Sequence, residues 1–318
     1  MKLLQARTKV PYVRTFAPKE GPRLIILPGE DDSNTLSTSR GRPVGPDYFD
    51  ISRKIAFMDQ HGIDASVISL ANPWLDFLDS GEAAHIARLV NEEVNDLCSQ
   101  YPGRLWAFGA LPLSTTQEEI VAEIFRLLAL PYIRGFVMGT GGMGEGLDDP
   151  RLYPIYTAIQ QTGLPIFLHP HYGLPKEVFG PRASDYGHVL PLALGFPLET
   201  TIAISKMILC GVWDKFKNLK VLIAHSGGTL PFLAGRLESC IAHDNHLKKE
   251  GKIDGRRSIN DILRHNIYLD AVIYSATGLE AAIRSSGGDR VLFGTSSCIS
   301  SFQLAGLFWS FQIRRFSP

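Results

Sequence analysis

The sequence predicts an α/β fold, one unit short of a closed (β/α)8 TIM-type barrel. Three observations carry this expectation. Seven apolar runs of strand length alternate with amphipathic runs from about residue 47 onward. Those strand-like runs are apolar almost throughout, as when helices cover both faces of a parallel sheet. Two successive runs end on histidines, His169 and His225. In an α/β barrel the strand carboxyl ends are where chemistry is placed.

The elements follow in order. Residues 65–70 read as a strand. Residues 82–101 read as a helix, with apolar positions at Ala83, Ile86, Ala87, Val90, Val94, Leu97 and Cys98. A strand at 105–111, a helix at 117–130 and a strand at 133–138 come next. A helix at 151–161 follows the start signal Asp148-Asp149-Pro150. Then come a strand at 164–168, a helix at 198–209, a strand at 219–224, a helix at 231–246, a strand at 267–272, a helix at 276–285 and a strand at 290–293. A doubly wound sheet is the alternative, but no Gly-X-Gly-X-X-Gly turn follows an early strand. The glycine-rich stretch 139–144 has the wrong spacing for a phosphate cradle and reads as a barrel-top loop.

Two regions stand outside the alternation. Residues 1–46 form an irregular excursion, with a possible strand at 23–27 and a polar loop at 31–45. Residues 170–197, rich in Pro and Gly, read as a pocket loop. The whole chain, 1–318, is expected to be one barrel domain.

Composition narrows the function classes. The 32 basic and 32 acidic residues cancel, which argues against a nucleic-acid surface or a polybasic membrane patch. No run approaches the roughly 18 apolar residues of a membrane span, and the start carries no signal-peptide core. A soluble, cytoplasmic protein is expected. The four cysteines, Cys98, Cys210, Cys240 and Cys298, include no Cys-X-X-Cys pair and read as buried free thiols.

Five strand ends carry polar residues: Asn72, His169, His225, Asp270 and Thr295-Ser296-Ser297. A neutral imidazole at a strand end suits zinc or a similar ion. One such histidine alone is more simply a hydrogen-bonded core residue. Two on adjacent strand ends, each followed by Pro or Gly, point to a site. The remaining histidines read as structural, with His171 and His188 in the pocket loop as weak candidates for lining it.

Four stretches add a resemblance: residues 69–74, 167–175 and 186–191, and His225-Ser226-Gly227-Gly228-Thr229-Leu230-Pro231-Phe232. Together with 235–241 and 267–275 they resemble the aminocarboxymuconate-semialdehyde decarboxylase family of the amidohydrolase superfamily. Fungal members acting on 6-methylsalicylate or uracil-5-carboxylate are the most similar. The likeness runs from about residue 10 to 295. It implies a metal-dependent, non-oxidative carboxy-lyase of a small aromatic carboxylic acid. An ortho-hydroxybenzoate such as 6-methylsalicylate, from fungal polyketide secondary metabolism, is the first expectation. Uracil-5-carboxylate of pyrimidine salvage is the alternative. By position, His169 is the implied zinc ligand and His225 the implied catalytic residue. Asn72 and Arg236 are the implied substrate-binding residues, with Arg236 reaching into the neighbouring subunit of a homodimer.

The resemblance also exposes departures. In the family a His-X-His pair on the first strand, a His on the fifth and an Asp on the eighth hold the metal. No His-X-His occurs near the amino terminus here, and Ser296 stands where the Asp is expected. Met1 aligns past the first strand. The barrel is therefore expected to lack that strand and to present an unpaired edge. Residues 296–318 do not resemble the family and read like an unrelated frame or retained intron. The chain as written is thus expected to be inactive or severely impaired, with a truncated non-catalytic homologue as the competing reading.

Overall fold

The computed structural model describes residues 2–295, apart from 18, 27–28, 34–39, 47–48, 71, 73, 171–172 and 188, together with the backbone of 308–313. The residues group into two compact units. The first comprises Met1–Arg134 and Thr295–Pro318, the second Gly135–Gly294.

The first unit begins with a short helix, α1 (Lys2–Gln5), and an antiparallel sheet of β1 (Tyr12–Arg14), β2 (Arg23–Ile25) and β3 (Arg42–Pro43). The excursion is thus a small ordered sheet with buried Leu24 and Ile25. Helix α2 (Ile51–Gln60) has no counterpart in the periodicity reading. It starts where the Asp50 carboxylate accepts the Ser52 N–H at 3.0 Å, an N-cap worth about 1 kcal/mol. Strand β4 (Ala65–Leu70), helix α3 (Ser80–Ser99), strand β5 (Leu105–Ala110) and helix α4 (Gln117–Leu127) follow as expected, and β4 pairs parallel to β5. A reciprocal capping box between Thr116 and Glu119 starts α4.

Strand β6 (Ile133–Gly139) carries the chain into the second unit. There the order is α5 (Tyr153–Thr162), β7 (Ile166–His169), α6 (Phe196–Leu209), α7 (Val212–Lys215), β8 (Val221–Ile223), α8 (Leu230–His243), α9 (Asn245–Lys249), α10 (Ile259–His265), β9 (Ile267–Asp270), α11 (Ala276–Ser286) and β10 (Val291–Thr295). Strands β6 to β10 pair in sequence, all parallel. Their residues are apolar and buried on both faces of the sheet, Phe167 and Leu222 on one and Phe136 and Leu269 on the other. Burial of each such side chain stabilises the fold by roughly 1.5–3 kcal/mol.

Four local expectations are corrected. The helix expected at 231–246 is two, because Asp244 takes extended backbone and its carboxylate caps α9 by accepting the Leu247 N–H at 2.8 Å. Helix α10, capped by Ser258, was not anticipated, since a seven-residue element is too short for a periodic signal. Residues 191–209 form one apolar helical run of mean hydropathy 1.4, long enough to cross a membrane by length and composition, where none was expected. In this fold it is the layer helix over the sheet, with Ile204, Met207 and Ile208 buried. Of the cysteines, Cys98 is buried, but Cys240 is exposed; Cys298 lies outside the described residues.

The unpaired edge expected at β4 is absent too. Strand β11 (Phe308–Ile313) pairs antiparallel with β4 along its whole length, from Phe308↔Leu70 to Ile313↔Ala65. An antiparallel partner satisfies the same edge N–H and C=O groups as a parallel one.

Candidate active site at the strand carboxyl ends

Strand register sets the second unit's polar residues side by side. Gly139 pairs with His169, Leu168 with Ile223, and Ile223 with Leu269. The Ala224 N–H continues the ladder to the Leu168 carbonyl at 3.0 Å. His169, His225 and Asp270 therefore stand at the ends of three neighbouring strands.

His169 is 1% exposed. Its Nδ1 lies 2.8 Å from the Pro170 carbonyl oxygen, which can only accept. Nδ1 thus carries the proton, and in the neutral ring the lone pair sits on Nε2. The His225 ring lies 5.1 Å from that of His169, centroid to centroid. Phe196, first residue of α6, stacks on His225 at 6.2 Å and meets His169 edge-on at 6.3 Å. The His225 ring is densely surrounded although part of its surface meets solvent. Burial lowers its pKa to about 4, so the imidazole is neutral at pH 7.

The backbone at His225 is unusual. His225, Ser226, Gly227 and Gly228 have φ of 55°, 52°, 79° and 65°. Glycine accepts such values freely, whereas His and Ser do so at a cost of order 1–3 kcal/mol each. At Gly228 a Cβ would stand 2.2 Å from the Pro197 carbonyl oxygen, so only glycine lets this turn pack against α6. Asp270 holds the strained half. One carboxylate oxygen accepts the His225 N–H at 3.1 Å; the other accepts those of Ser226 at 2.7 Å and Val272 at 3.1 Å. The Ser226 hydroxyl donates to the Asp270 carbonyl at 2.7 Å. Burial raises the Asp270 pKa to about 7, against the downward pull of these three N–H bonds.

Glu199, one turn into α6, joins two other strand-end segments. Its carboxylate accepts the Gly173 N–H at 2.6 Å and a bond from the Thr140 hydroxyl. It thereby ties the loop after His169 to the end of β6. The glycine-rich loop behaves as expected: the Gly142, Gly144 and Gly146 amides bond carbonyls of that loop itself, which leaves them turned from any phosphate.

The structure brings together two of the four sequence-predicted site residues, His169 and His225. Arg236 is exposed on α8, on the same stripe as Phe232 and outside this hydrogen-bond network. Asn72 belongs to the first unit, where it is buried just past β4. His171, His188 and Ser296 lie outside the described residues. Glu199 and Phe196 were not anticipated as site residues, and Asp270 was noted as a polar strand end without a role. For Asp270 a signal existed, a lone carboxylate inside an apolar strand.

A metal centre is only partly provided. His169, with Nδ1 fixed and Nε2 carrying the lone pair, has what a ligand needs. A catalytic zinc centre takes three protein ligands and an open position. Among the described residues no group of three His, Cys, Asp or Glu side chains converges to hold an ion. Asp270 belongs to no such group, and backbone N–H groups take three of its roughly four acceptor sites.

Comparison with known proteins places this arrangement. A family profile described as Amidohydrolase matches residues 37–303. The apo crystal structure of Metarhizium anisopliae IDCase is similar at 50% identity and a TM-score of 0.88, over 95% of this chain and 84% of that one. The 2-amino-3-carboxymuconate-6-semialdehyde decarboxylase of Dictyostelium discoideum is 28% identical over 80% of this chain and 68% of its own length. A dihydroxybenzoic acid decarboxylase from Polaromonas sp. JS666, solved with manganese and the inhibitor 2-nitroresorcinol, is 26% identical with a TM-score of 0.66. That match covers 80% of this chain and 75% of the other.

Proposed function

Since the chain belongs to the amidohydrolase family, with the family's (β/α)8-barrel fold, we propose that it removes CO2 from uracil-5-carboxylate. At the coarser level it is a carboxy-lyase of aromatic acids, as its relatives are. The observation that carries the chemistry is the pair of imidazoles 5.1 Å apart at adjacent strand ends. The substrate rests on the 50% identity to IDCase together with the sequence resemblance to uracil-5-carboxylate decarboxylases. On that ground we put the alternative substrate of the sequence reading ahead of 6-methylsalicylate.

In this reaction the ring carbon bearing the carboxylate gains a proton. The bond to the carboxyl carbon then breaks, its electron pair returns to the ring, and CO2 leaves. We assign to His225, neutral at pH 7, the relay of that proton from solvent water to the ring carbon. Phe196 offers a flat apolar face against a planar ring. A divalent ion supplies, when bound, a Lewis acid that orients the carboxylate. His169 would be its ligand from this unit, and zinc or manganese is the ion class we infer. Arg236 and the exposed Phe232 on α8 support a homodimer in which that arginine serves the neighbouring site.

A second reading is favoured by the incomplete ligand set among the described residues: a chain that binds the acid but turns it over poorly. One experiment separates the two. CO2 release is followed with uracil-5-carboxylate and with 6-methylsalicylate, each with added manganese or zinc. Turnover of the uracil acid, at least tenfold above 6-methylsalicylate in kcat/KM, is the expected result. The reverse preference moves the substrate to the hydroxybenzoates. Binding of both acids without turnover establishes the impaired homologue.

A further inference from the structure

We propose that Asp270 is a positioning residue for the reaction, holding His225 in its left-handed backbone conformation so that the imidazole stands against His169. The proposal deepens the decarboxylase reading and rests on it for its kinetic consequence. Its structural content stands alone.

Two consecutive non-glycine residues, His225 and Ser226, have φ of 55° and 52°. L-residues avoid this region because Cβ crowds the following carbonyl. Something outside the turn must favour it, and the contacts that do so converge on one side chain. The Asp270 carboxylate accepts the N–H of both strained residues, at 3.1 and 2.7 Å, and that of Val272 at 3.1 Å. The Ser226 hydroxyl closes the loop by donating to the Asp270 carbonyl at 2.7 Å. Asp270 itself cannot shift, since β9 is paired on both sides and the residue is 3% exposed. Only a side chain with two acceptor oxygens meets these demands. Asparagine has a single acceptor, and its NH2 would face at least one of the three amides.

This geometry separates positioning from catalysis. Backbone N–H groups take three of the roughly four acceptor sites of the buried Asp270, and its part in the reaction is assigned to where it sets His225. A ring displaced by about 1 Å is enough to cost on the order of a hundredfold in rate. The loss should appear in kcat, because His225 acts at the reacting carbon. KM should change little.

The test compares Asp270→Asn, Ser226→Gly and the double variant. It combines steady-state kinetics with histidine-selective 15N NMR, the His225 signals being assigned from their loss in His225→Phe. Asp270→Asn is expected to lower kcat by about tenfold or more, to leave KM within about threefold, and to shift the His225 amide and ring resonances. Ser226→Gly removes the steric cost at the second strained position, at the loss of the same hydroxyl bond that Ser226→Ala deletes. In the double variant it should recover a large part of kcat and return the His225 resonances towards the wild-type values. A folded Asp270→Asn protein with wild-type His225 resonances and kcat within twofold of wild type would overturn the proposal, and so would a double variant no better than the single one. Should Asp270→Asn not fold, Ser226→Ala gives the reading. It deletes only the hydroxyl bond to Asp270 and should move the His225 resonances in the same direction; unmoved resonances count against the proposal. If wild type decarboxylates neither acid, the functional reading fails, and the NMR comparison still decides the positioning role.

Discussion

At the scale of single residues, His225 carries a measurable pH signature. Folded, its imidazole binds a proton only near pH 4; unfolded, near 6.5. Between these values the unfolded chain takes up a proton that the folded chain refuses. Stability is therefore unaffected by His225 above pH 6.5 and falls as pH falls from 6.5 towards 4. The full difference corresponds to about 3 kcal/mol, and less here because the ring is partly open to solvent. His225→Phe should be less sensitive to acid than wild type over this window, as read by urea unfolding at pH 7 and pH 4.5. Equal acid sensitivity in the two proteins would show that the imidazole is not shielded as described. His169 differs in kind: its bond to Pro170 selects a tautomer, a property set by one carbonyl oxygen and not by burial alone.

At the scale of elements, the layer helix α6 contributes twice to the site. Phe196 at its start stacks on His225, and Glu199 one turn later grips the Gly173 amide and the Thr140 hydroxyl. The loop following β7 is thus fastened to a helix, not only to its own strand. Glu199→Gln retains one acceptor oxygen for two donors. Limited proteolysis should cleave the 173–195 segment several times faster in this variant, while stability falls by about 1–2 kcal/mol, typical of a charge-assisted bond. An unchanged cleavage rate would mean that the loop is held by other contacts. Strand β11 makes the complementary point. Its pairing with β4 supplies the edge that the expected missing strand would have left open, which a family alignment of the tail had no means of revealing.

At the scale of the whole molecule, charge does little to keep copies apart. Basic and acidic residues balance at 32 each. Phe232, 86% exposed on α8, is the sort of apolar surface that a partner covers. In the homodimer we propose, with α8 as its face, Phe232→Asp should shift the protein from dimer to monomer in analytical ultracentrifugation, with its circular dichroism unchanged. A variant that sediments with wild type would remove this face from the interface.

The sequence by itself determined the alternation of strands and helices, the placement of His169 and His225 at strand ends, and the family. Each of these rests on local information: apolar periodicity, turn residues and motifs a few residues long. Helices α2 and α10 escaped it because short elements capped by Asp50 and Ser258 leave little periodic trace. Only the tertiary structure decided which polar groups meet. Asp270 lies 45 residues from His225 and Glu199 lies 59 from Thr140, so no local pattern links them. Strand register brought the first pair together, and packing of α6 over the strand ends brought the second. The neutral state of His225 has the same origin, since burial is a property of the packed chain and not of the motif that contains it.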